Sequence, residues 1–312
     1  MKEIFNPPSP LKAGLRRDFR SDAYGKIFRP SLGTTRDDEL VGPSGCGIFN
    51  KIRCFWRWHP EVALRYLPIA GIIKREKQEK GKILEIGSNW LGIAPYLSEP
   101  VTGLDKNFGA KKFFLLKQVQ GEAERLPFAD KSFNIVLAVD LFEHIAPGGR
   151  KKVLTEIARV AKDFIVVAVP CGKEAEAEDK WLAEELRAKN KTYKFIEDHL
   201  RYGLPEEEEM IELIRETVNH GKIEVFSNEN IPLRRFLMRG WLRKGFLANL
   251  IFRKLMLFLI PVFLRLDPST SPAKAGRIRG FGPLLKKLRH SSESPHKQPM
   301  YRKIFKITTR RS

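Results

Sequence analysis

Runs of apolar residues alternate with amphipathic stretches between residues 81 and 170. An amphipathic helix is predicted over 148–162, where apolar residues recur along one stripe. The strand-like runs are apolar on both faces, which is typical of a parallel sheet that helices cover. These runs are KILEIG (82–87), VTGLD (101–105), FLLKQVQ (114–120), FNIVLAV (133–139) and DFIVVAVP (163–170). The alternation predicts an α/β fold with a doubly wound, mostly parallel sheet.

The pattern beyond residue 170 predicts the remainder of this fold. Charged helices are predicted over 174–189 and 205–218, and strands over 222–228 and 301–309, with a long insertion between these last two strands. The core is expected to open with a helix that is interrupted near Pro68. Four segments result: an irregular N-terminal segment, 1–59; the core, 60–231; a basic, apolar helical insertion with a flexible loop, 232–298; and the closing strand of the core, 299–312.

Basic residues are concentrated in the last quarter of the chain. The 312 residues carry a formal net charge of +20, and residues 232–312 contain 20 Lys/Arg against two acids, Asp267 and Glu293. Such asymmetry predicts an anionic partner: nucleic acid, lipid head groups or an anionic substrate. Three cysteines give neither a disulfide framework nor a metal-ligand spacing, so no metal site is predicted. The N-terminus has no apolar signal region, and a reducing, cytoplasmic location is expected.

The stretch EIGSNWLG (85–92) lies where the first strand passes into a helix. Glycine at such a turn lets backbone N–H groups approach a ligand closely. A phosphate-binding P-loop is excluded because Ile93 and Ala94 stand where Lys and Ser/Thr are needed. A dinucleotide fingerprint is excluded because Asn89 and Leu91 interrupt its glycine spacing.

Two carboxylates accompany this turn. Glu85 precedes Gly87 by two residues, and Asp105 ends the next strand. An acid at the end of the second strand is placed to accept hydrogen bonds from ribose hydroxyls. Glu85 can accept from an amine or order the loop. A ligand that combines an adenosine with a charged amino acid head would suit both carboxylates.

Residues 83–171 resemble the class I S-adenosylmethionine-dependent methyltransferases with a methyltransferase type 11 domain. The segments that carry the resemblance are ILEIGSNWLGI, VTGLDKN, GEAERLPFADKSFNIVLAVDLFEHI and VVAVP. It implies a seven-stranded sheet whose last, antiparallel strand lies beside the fifth. It also implies S-adenosyl-L-methionine as cofactor, with Glu122 and Ala123 flanking the adenine. The implied cofactor contacts are Glu85, Gly87, Ser88, Asn89, Gly92, Asp105, Lys106, Glu122, Ala123, Asp140 and Leu141. Asn89 and Leu91 stand where the family usually has glycine, and their side chains are expected to crowd or redirect the loop.

The resemblance implies methyl transfer to an oxygen or nitrogen of a small-molecule, glycan or lipid-linked acceptor. Asp140 and His144, at the end of the fourth strand, are expected to face this acceptor. His144 could take a proton from an acceptor hydroxyl while Glu143 orients it. The alternative is that His144 braces the start of the next helix. A base is not obligatory, because positioning alone supplies much of the rate of such a displacement.

The insertion mixes bulky apolar residues with bases, such as Arg234 and Arg235, over residues 234–266. Its longest apolar run, 255–264, is too short to span a bilayer. One hypothesis is a helix at an anionic membrane surface, which would place the protein peripherally on the inner face. A helical lid that packs on the core is the alternative. Two further functions stay open: an RNA methyltransferase that uses the basic quarter, and an inactive methyltransferase-like binding protein. The absence of a recognisable RNA-binding module disfavours nucleic acid.

Overall fold

A computed structural model describes residues 48–76, 81–218, 221–242, 252, 255–260 and 299–309. The strands in these residues are β1 (Ile83–Ile86), β2 (Val101–Asp105), β3 (Leu116–Gln120), β4 (Phe133–Val139), β5 (Ala161–Pro170), β6 (Lys222–Asn230) and β7 (Met300–Thr308). These seven strands form one sheet, in the order β3-β2-β1-β4-β5-β7-β6. The fold predicted from the apolar runs is confirmed, and β2 and β4 have the bounds that their patterns indicate.

The strand pairing sets the position of the ligand-binding edge. β1 pairs in parallel with β2 and β4, and β4 with β5, so their carboxyl ends meet at one edge of the sheet. β7 runs antiparallel between β5 and β6, with Val167 opposite Phe305. The predicted insertion of the last strand beside the fifth is therefore confirmed. The strand order reverses beside β1, where open α/β sheets bind their ligands.

Helices cover both faces of the sheet. The helices are α1 (Ile48–Arg57), α2 (Pro60–Glu76), α3 (Ala94–Leu97), α4 (Pro147–Val160), α5 (Lys173–Arg187), α6 (Lys194–Tyr202), α7 (Glu207–Thr217) and α8 (Ile231–Trp241). On one face α1 and α2 contribute to a core with Ile83, Ile135 and Leu137, and on the other α4 and α7 pack over Val136 and Ile165. A 3₁₀ turn, Phe142–His144, follows β4.

Two expectations for the N-terminal part are wrong. The segment 1–59 was expected to be irregular, but its described end forms α1, because Cys54 and Phe55 find apolar partners in the core. The Trp58 indole N–H adds a hydrogen bond to the Pro95 carbonyl oxygen at 3.2 Å. Residues 1–47 lie outside the described residues. Helix α2 runs through Pro68 instead of being interrupted there.

The insertion begins with α8, whose first turn is capped by the Asn230 side chain accepting from the Leu233 N–H at 3.2 Å. Leu237 of α8 and Met256 pack with Leu64 of α2, so this part of the insertion lies on the core. Among the described residues, no helix combines the length and apolar character needed to cross a membrane. The rest of the predicted helix and of the flexible loop lies outside the described residues.

Candidate functional site

The turn after β1 is organised by a buried carboxylate. Glu85 is fully buried and accepts hydrogen bonds from the Tyr66 hydroxyl (2.8 Å) and the Ile93 N–H (2.7 Å). Burial raises the pKa of Glu85 to about 7, although both hydrogen bonds oppose this shift. Gly92 lies against this carboxylate, since a Cβ there would be 2.2 Å from Glu85 Oε2. Its φ of +52° is a second reason for glycine.

The two residues that depart from the family pattern are accommodated by this turn. Asn89 has a φ of +50°, a left-handed conformation that asparagine tolerates better than most residues. Its side-chain oxygen accepts from the Trp90 N–H at 2.6 Å. Leu91 is buried in the core beneath the turn. Both residues also line the cavity described below, so the expected crowding of the cofactor loop stays a prediction.

Asp105 connects the turn to the end of β2. Its Oδ2 accepts from the Asn89 N–H at 2.9 Å, and its Oδ1 accepts from the Asn107 N–H at 3.3 Å. The side chain is half-buried and lines the cavity described next, with lone pairs left on both oxygens. This geometry fits a carboxylate that accepts hydrogen bonds from a diol such as ribose.

A cavity of about 480 Å³ opens above the carboxyl ends of β1, β2 and β4. Every residue of the predicted site except Glu85 lines it, while Glu85 supports the turn from below. Lys106 and Glu122 form an exposed ion pair of 2.5 Å at its edge. Leu141 contributes apolar surface opposite Gly87, where a Cβ would lie 3.2 Å from Leu141 Cδ1. The structure thus brings the predicted residues together, and their individual roles stay predictions.

Asp140 is held by two arginines that sequence reasoning missed. Arg302 donates from Nε and Nη2 to the two carboxylate oxygens at 2.7 and 2.8 Å, and Arg65 Nη1 lies 2.7 Å from Oδ2. Burial opposes ionisation, but Arg302 and Arg65 outweigh it and lower the pKa of Asp140 to about 2. Asp140 is therefore ionised at neutral pH and fixed in place. The available signal for Arg302 was its place on the closing strand, where it is one of three bases, Arg302, Lys303 and Lys306, among apolar residues.

The membrane hypothesis expected Arg234 to face outward, but its side chain is buried. It is 4% exposed, and its guanidinium lies 3.6 Å from the centroid of the Tyr301 ring. Its carboxylate neighbours Glu178 and Asp179 lie 3.6 and 3.8 Å away. Arg235 also pairs with Glu178, at 2.5 Å. These bases therefore neutralise carboxylates of the core.

These arginines belong to a larger set of ion pairs, here called the buried charge network, between α2, the end of β4, α5, α6, α8 and β7. It contains seven carboxylates and four guanidinium groups in the described residues: Glu61, Asp140, Glu143, Glu178, Asp179, Asp198, Glu229, Arg65, Arg234, Arg235 and Arg302. A second cavity of about 70 Å³ lies within this network and shares lining residues with the first. The shared residues include Val62, Arg65, Asp140 and His144.

Two histidines, His144 and His199, line this smaller cavity beside the carboxyl end of β4. His144 Nδ1 lies 3.3 Å from Asp198 Oδ2, and His199 Nδ1 lies 2.8 Å from Asp179 Oδ2. Burial lowers the pKa of His144, with Asp198 partly offsetting the shift, so His144 is neutral at pH 7. His144 belongs to the 3₁₀ turn and lines both cavities, and its role toward an acceptor or toward α4 stays a prediction.

Part of the chain is similar to known proteins. Residues 84–164 match the family model described as a methyltransferase domain. No curated protein sequence matches the chain. Among solved structures, a SAM-dependent methyltransferase of Thermotoga maritima is 14% identical, with 84% of this chain and 98% of that chain covered and a TM-score of 0.44. Phosphoethanolamine N-methyltransferase 2 of Haemonchus contortus is 17% identical, with 78% and 52% covered and a TM-score of 0.42.

The family match bears on both the cofactor and the activity. It covers β1 to β4 and the start of β5, the part of the sheet that carries the turn, Asp105 and Asp140. It supports S-adenosyl-L-methionine as the cofactor and methyl transfer as the reaction class.

Proposed function

We propose that the protein uses S-adenosylmethionine to methylate an oxygen or nitrogen of a small-molecule, glycan or lipid-linked acceptor. The premise is the match of residues 84–164 to a methyltransferase domain. The observation that supports this most directly is the cavity of about 480 Å³, in which Asp105, the glycine turn and Asp140 meet. S-adenosylmethionine supplies a methyl group on a sulfonium, which is an electrophile.

The chain's own residues divide the large cavity into two functional ends. Asp105 accepts hydrogen bonds from the ribose, and Glu122 and Ala123 flank the adenine. Gly87 and Gly92 shape the turn around the methionine end, which Glu85 holds from below. Asp140 and His144 face the methyl acceptor at the junction with the smaller cavity. The acceptor atom forms its bond to the methyl carbon from that side.

Calorimetry with S-adenosylmethionine and with S-adenosylhomocysteine tests this proposal. Wild-type protein is expected to bind both, and Asp105→Ala is expected to bind each at least about tenfold more weakly, the loss of one charged hydrogen-bond partner. Asp130→Ala is the matched control, because Asp130 is an exposed carboxylate on the same domain that pairs with Arg159 and does not line the cavity. If wild-type protein binds neither compound, the enzyme proposal fails.

We further propose that an anionic membrane surface is a partner through the insertion. Phe236, Leu255 and Phe258 are 50%, 55% and 72% exposed, and Leu259 lies beside them in the chain. Such a concentration of exposed large apolar side chains marks an interaction surface. Bases of residues 232–312 other than Arg234, Arg235 and Arg302, which pair with core carboxylates, supply attraction to anionic head groups.

Flotation with phosphatidylglycerol and with phosphatidylcholine vesicles tests this partner. Binding to the anionic vesicles is expected, together with its loss in Phe258→Ser. Leu200→Ser is the control, because Leu200 is an exposed apolar residue of α6 outside the insertion. A protein that stays in solution with both vesicles contradicts the membrane proposal. Methyl incorporation into RNA would instead favour the RNA methyltransferase alternative.

A further inference from the structure

Three side chains of the smaller cavity are grouped as metal ligands are. Glu143 and His144 come from the 3₁₀ turn after β4, and His199 comes from α6. One ligand atom of each lies within 4.8 Å of the others. A metal ion about 2.1 Å from each atom would hold them roughly 3.4 Å apart in tetrahedral geometry. The cluster needs to close by little more than one ångström to reach that spacing.

Glu143 is the residue of this cluster whose carboxylate oxygens lack hydrogen bonds. Its side chain is fully buried, and no other described residue hydrogen-bonds to either carboxylate oxygen. Its nearest ion-pair partner in the described chain is His199 Nε2, 3.9 Å from Oε1. A buried carboxylate without hydrogen bonds is costly and is normally paired or bound to a metal. The carboxylate is therefore available as a ligand, and it is aimed into the cavity.

Each histidine is oriented by its own carboxylate. His199 Nδ1 contacts Asp179, whose other oxygen accepts from the Tyr301 hydroxyl at 2.7 Å. His144 Nδ1 lies 3.3 Å from Asp198. A histidine that ligates a metal usually donates its other ring N–H to a carboxylate or carbonyl, which fixes the tautomer. His199 has that partner on Nδ1, which leaves its Nε2 for a ligand, and Asp198 lies on the Nδ1 side of His144.

The arginines that line the smaller cavity are already used by other carboxylates. Arg302 pairs with Asp140 and Glu229, and Arg65 pairs with Asp140 and Glu61. None of these ion pairs includes Glu143, whose nearest ion-pair partner in the described chain is His199. A divalent ion would supply the cation that the Glu143 carboxylate lacks.

We propose that Glu143, His144 and His199 bind a divalent first-row transition-metal ion at the junction of the two cavities. Two imidazoles and one carboxylate suit Zn²⁺, Mn²⁺, Fe²⁺ or Co²⁺ and leave coordination positions open for another ligand. This inference deepens the proposed function and rests on it, because the open positions face the side assigned to the methyl acceptor. It also makes His144 a metal ligand, in place of the general base that the sequence suggested.

A metal ion held by Glu143, His144 and His199 would supply Lewis-acid chemistry to the acceptor. It would ease the loss of a proton from an acceptor hydroxyl to water, as it does for metal-bound water. The acceptor oxygen would then use a lone pair to form the C–O bond while the C–S bond breaks, and the pair from that bond would stay on the sulfur. The products are a methyl ether, a neutral thioether and the released proton, so atoms and charge balance.

Metal binding by the full-length, untagged chain tests the site directly. Protein stripped with EDTA is titrated with Co²⁺ under anaerobic conditions, and visible absorption reports coordination, while calorimetry follows Zn²⁺ and Mn²⁺. One ion per chain is expected. Glu143→Gln and His199→Gln are each expected to weaken binding by about 100-fold or more, and Asp179→Asn by about 10–100-fold, the range for a partner that orients a ligand.

His59→Gln is the matched control, because His59 lines the same small cavity but lies outside the cluster. It is expected to keep wild-type affinity for Co²⁺. Far-UV circular dichroism and S-adenosylmethionine binding of every variant separate loss of the site from loss of the fold. Wild-type protein that binds none of the three ions overturns the inference, as does Co²⁺ binding that is unchanged in the Glu143→Gln/His199→Gln double variant.

The same experiment separates this inference from the proposed function. S-adenosylmethionine binding without metal binding overturns the metal site and leaves methyl transfer standing. Metal binding without S-adenosylmethionine binding supports the metal site and contradicts the methyltransferase proposal.

Discussion

The two ends of the large cavity are built in different ways. The cofactor end comes mainly from one stretch of chain, residues 85–123. Its turn is held by backbone N–H groups that donate to Glu85 and Asp105, and Tyr66 of α2 adds one further hydrogen bond to Glu85. The acceptor end is assembled from α2, the end of β4, α6 and β7, and is held by ion pairs between buried charges. A short motif can specify the first end, whereas the second exists only when distant segments have folded together.

The largest expected effect comes from breaking the acceptor end at Arg302. Arg302→Met takes from Glu229 its closest cation and from Asp140 one of its two arginines, and removing one partner of a buried pair costs about 3–5 kcal/mol. Urea unfolding measures the change. Lys303→Met is the matched control on the same strand, because Lys303 is part-exposed and pairs with Glu207 at the surface, where the cost is below about 1 kcal/mol. Equal losses for both variants would show that the buried pairs are not what holds this end.

The pH dependence of stability probes the cofactor end. The pKa of Glu85 is raised from 4.5 to about 7 in the folded state, so the folded protein binds the proton more tightly than the unfolded chain does. Stability from this group is therefore present below about pH 4.5 and is lost as the pH rises through about 7, by about 3 kcal/mol in total.

Glu85→Gln removes this titration while it keeps an acceptor oxygen. The free energy of unfolding of Glu85→Gln, relative to wild type, should therefore rise between pH 5 and pH 7.5. Urea melts of both proteins at the two pH values give the difference. An unchanged difference would mean that Glu85 does not carry a raised pKa. In that case a buried carboxylate would be ionised at the cofactor end, as Asp140 is at the acceptor end.

A smaller loss is expected when the turn itself is altered. Gly92→Ala places a Cβ against the Glu85 carboxylate at a φ of +52°, which should cost about 2 kcal/mol and weaken S-adenosylmethionine binding by about tenfold. Gly71→Ala is the control, because Gly71 lies inside α2 with open space at its Cβ. It should stabilise the protein by about 0.5–1 kcal/mol. Thermal unfolding and calorimetry check both signs.

The same contrast explains what could be predicted from the sequence. β2 and β4 were predicted with their correct bounds, because apolar runs of that length bounded by turns specify strands locally. Asp105 and the glycine turn were predicted together because their spacing is part of one β-α-β unit. The fold of α1 was missed because residues 1–50 are rich in Pro, Gly and Ser, and because the apolar residues of this short helix gain their partners only in the tertiary structure.

The acceptor end could not be predicted to the same extent. Asp140 was identified from its position after β4. Its arginine partners could not be identified, because Arg65 lies on α2, before the first strand, and Arg302 lies on the last strand. Arg234 was assigned to a surface because a base in an amphipathic stretch is usually solvated. Its burial depends on the carboxylates of α5, which no local pattern connects to α8.

The smallest effect is expected at the edge of the cofactor end, where an ion pair is exposed. Lys106 and Glu122 lie 2.5 Å apart with side chains 54% and 59% exposed, so solvent and salt screen their attraction. Lys106→Gln should change the free energy of unfolding by less than about 0.5 kcal/mol. Urea melts at low and high salt measure this, with Lys152→Gln as the control, because Lys152 forms a comparably exposed pair with Glu124. A loss that equals the effect of Arg302→Met would remove the distinction between the two ends, because charges would then hold the cofactor end as firmly as the acceptor end.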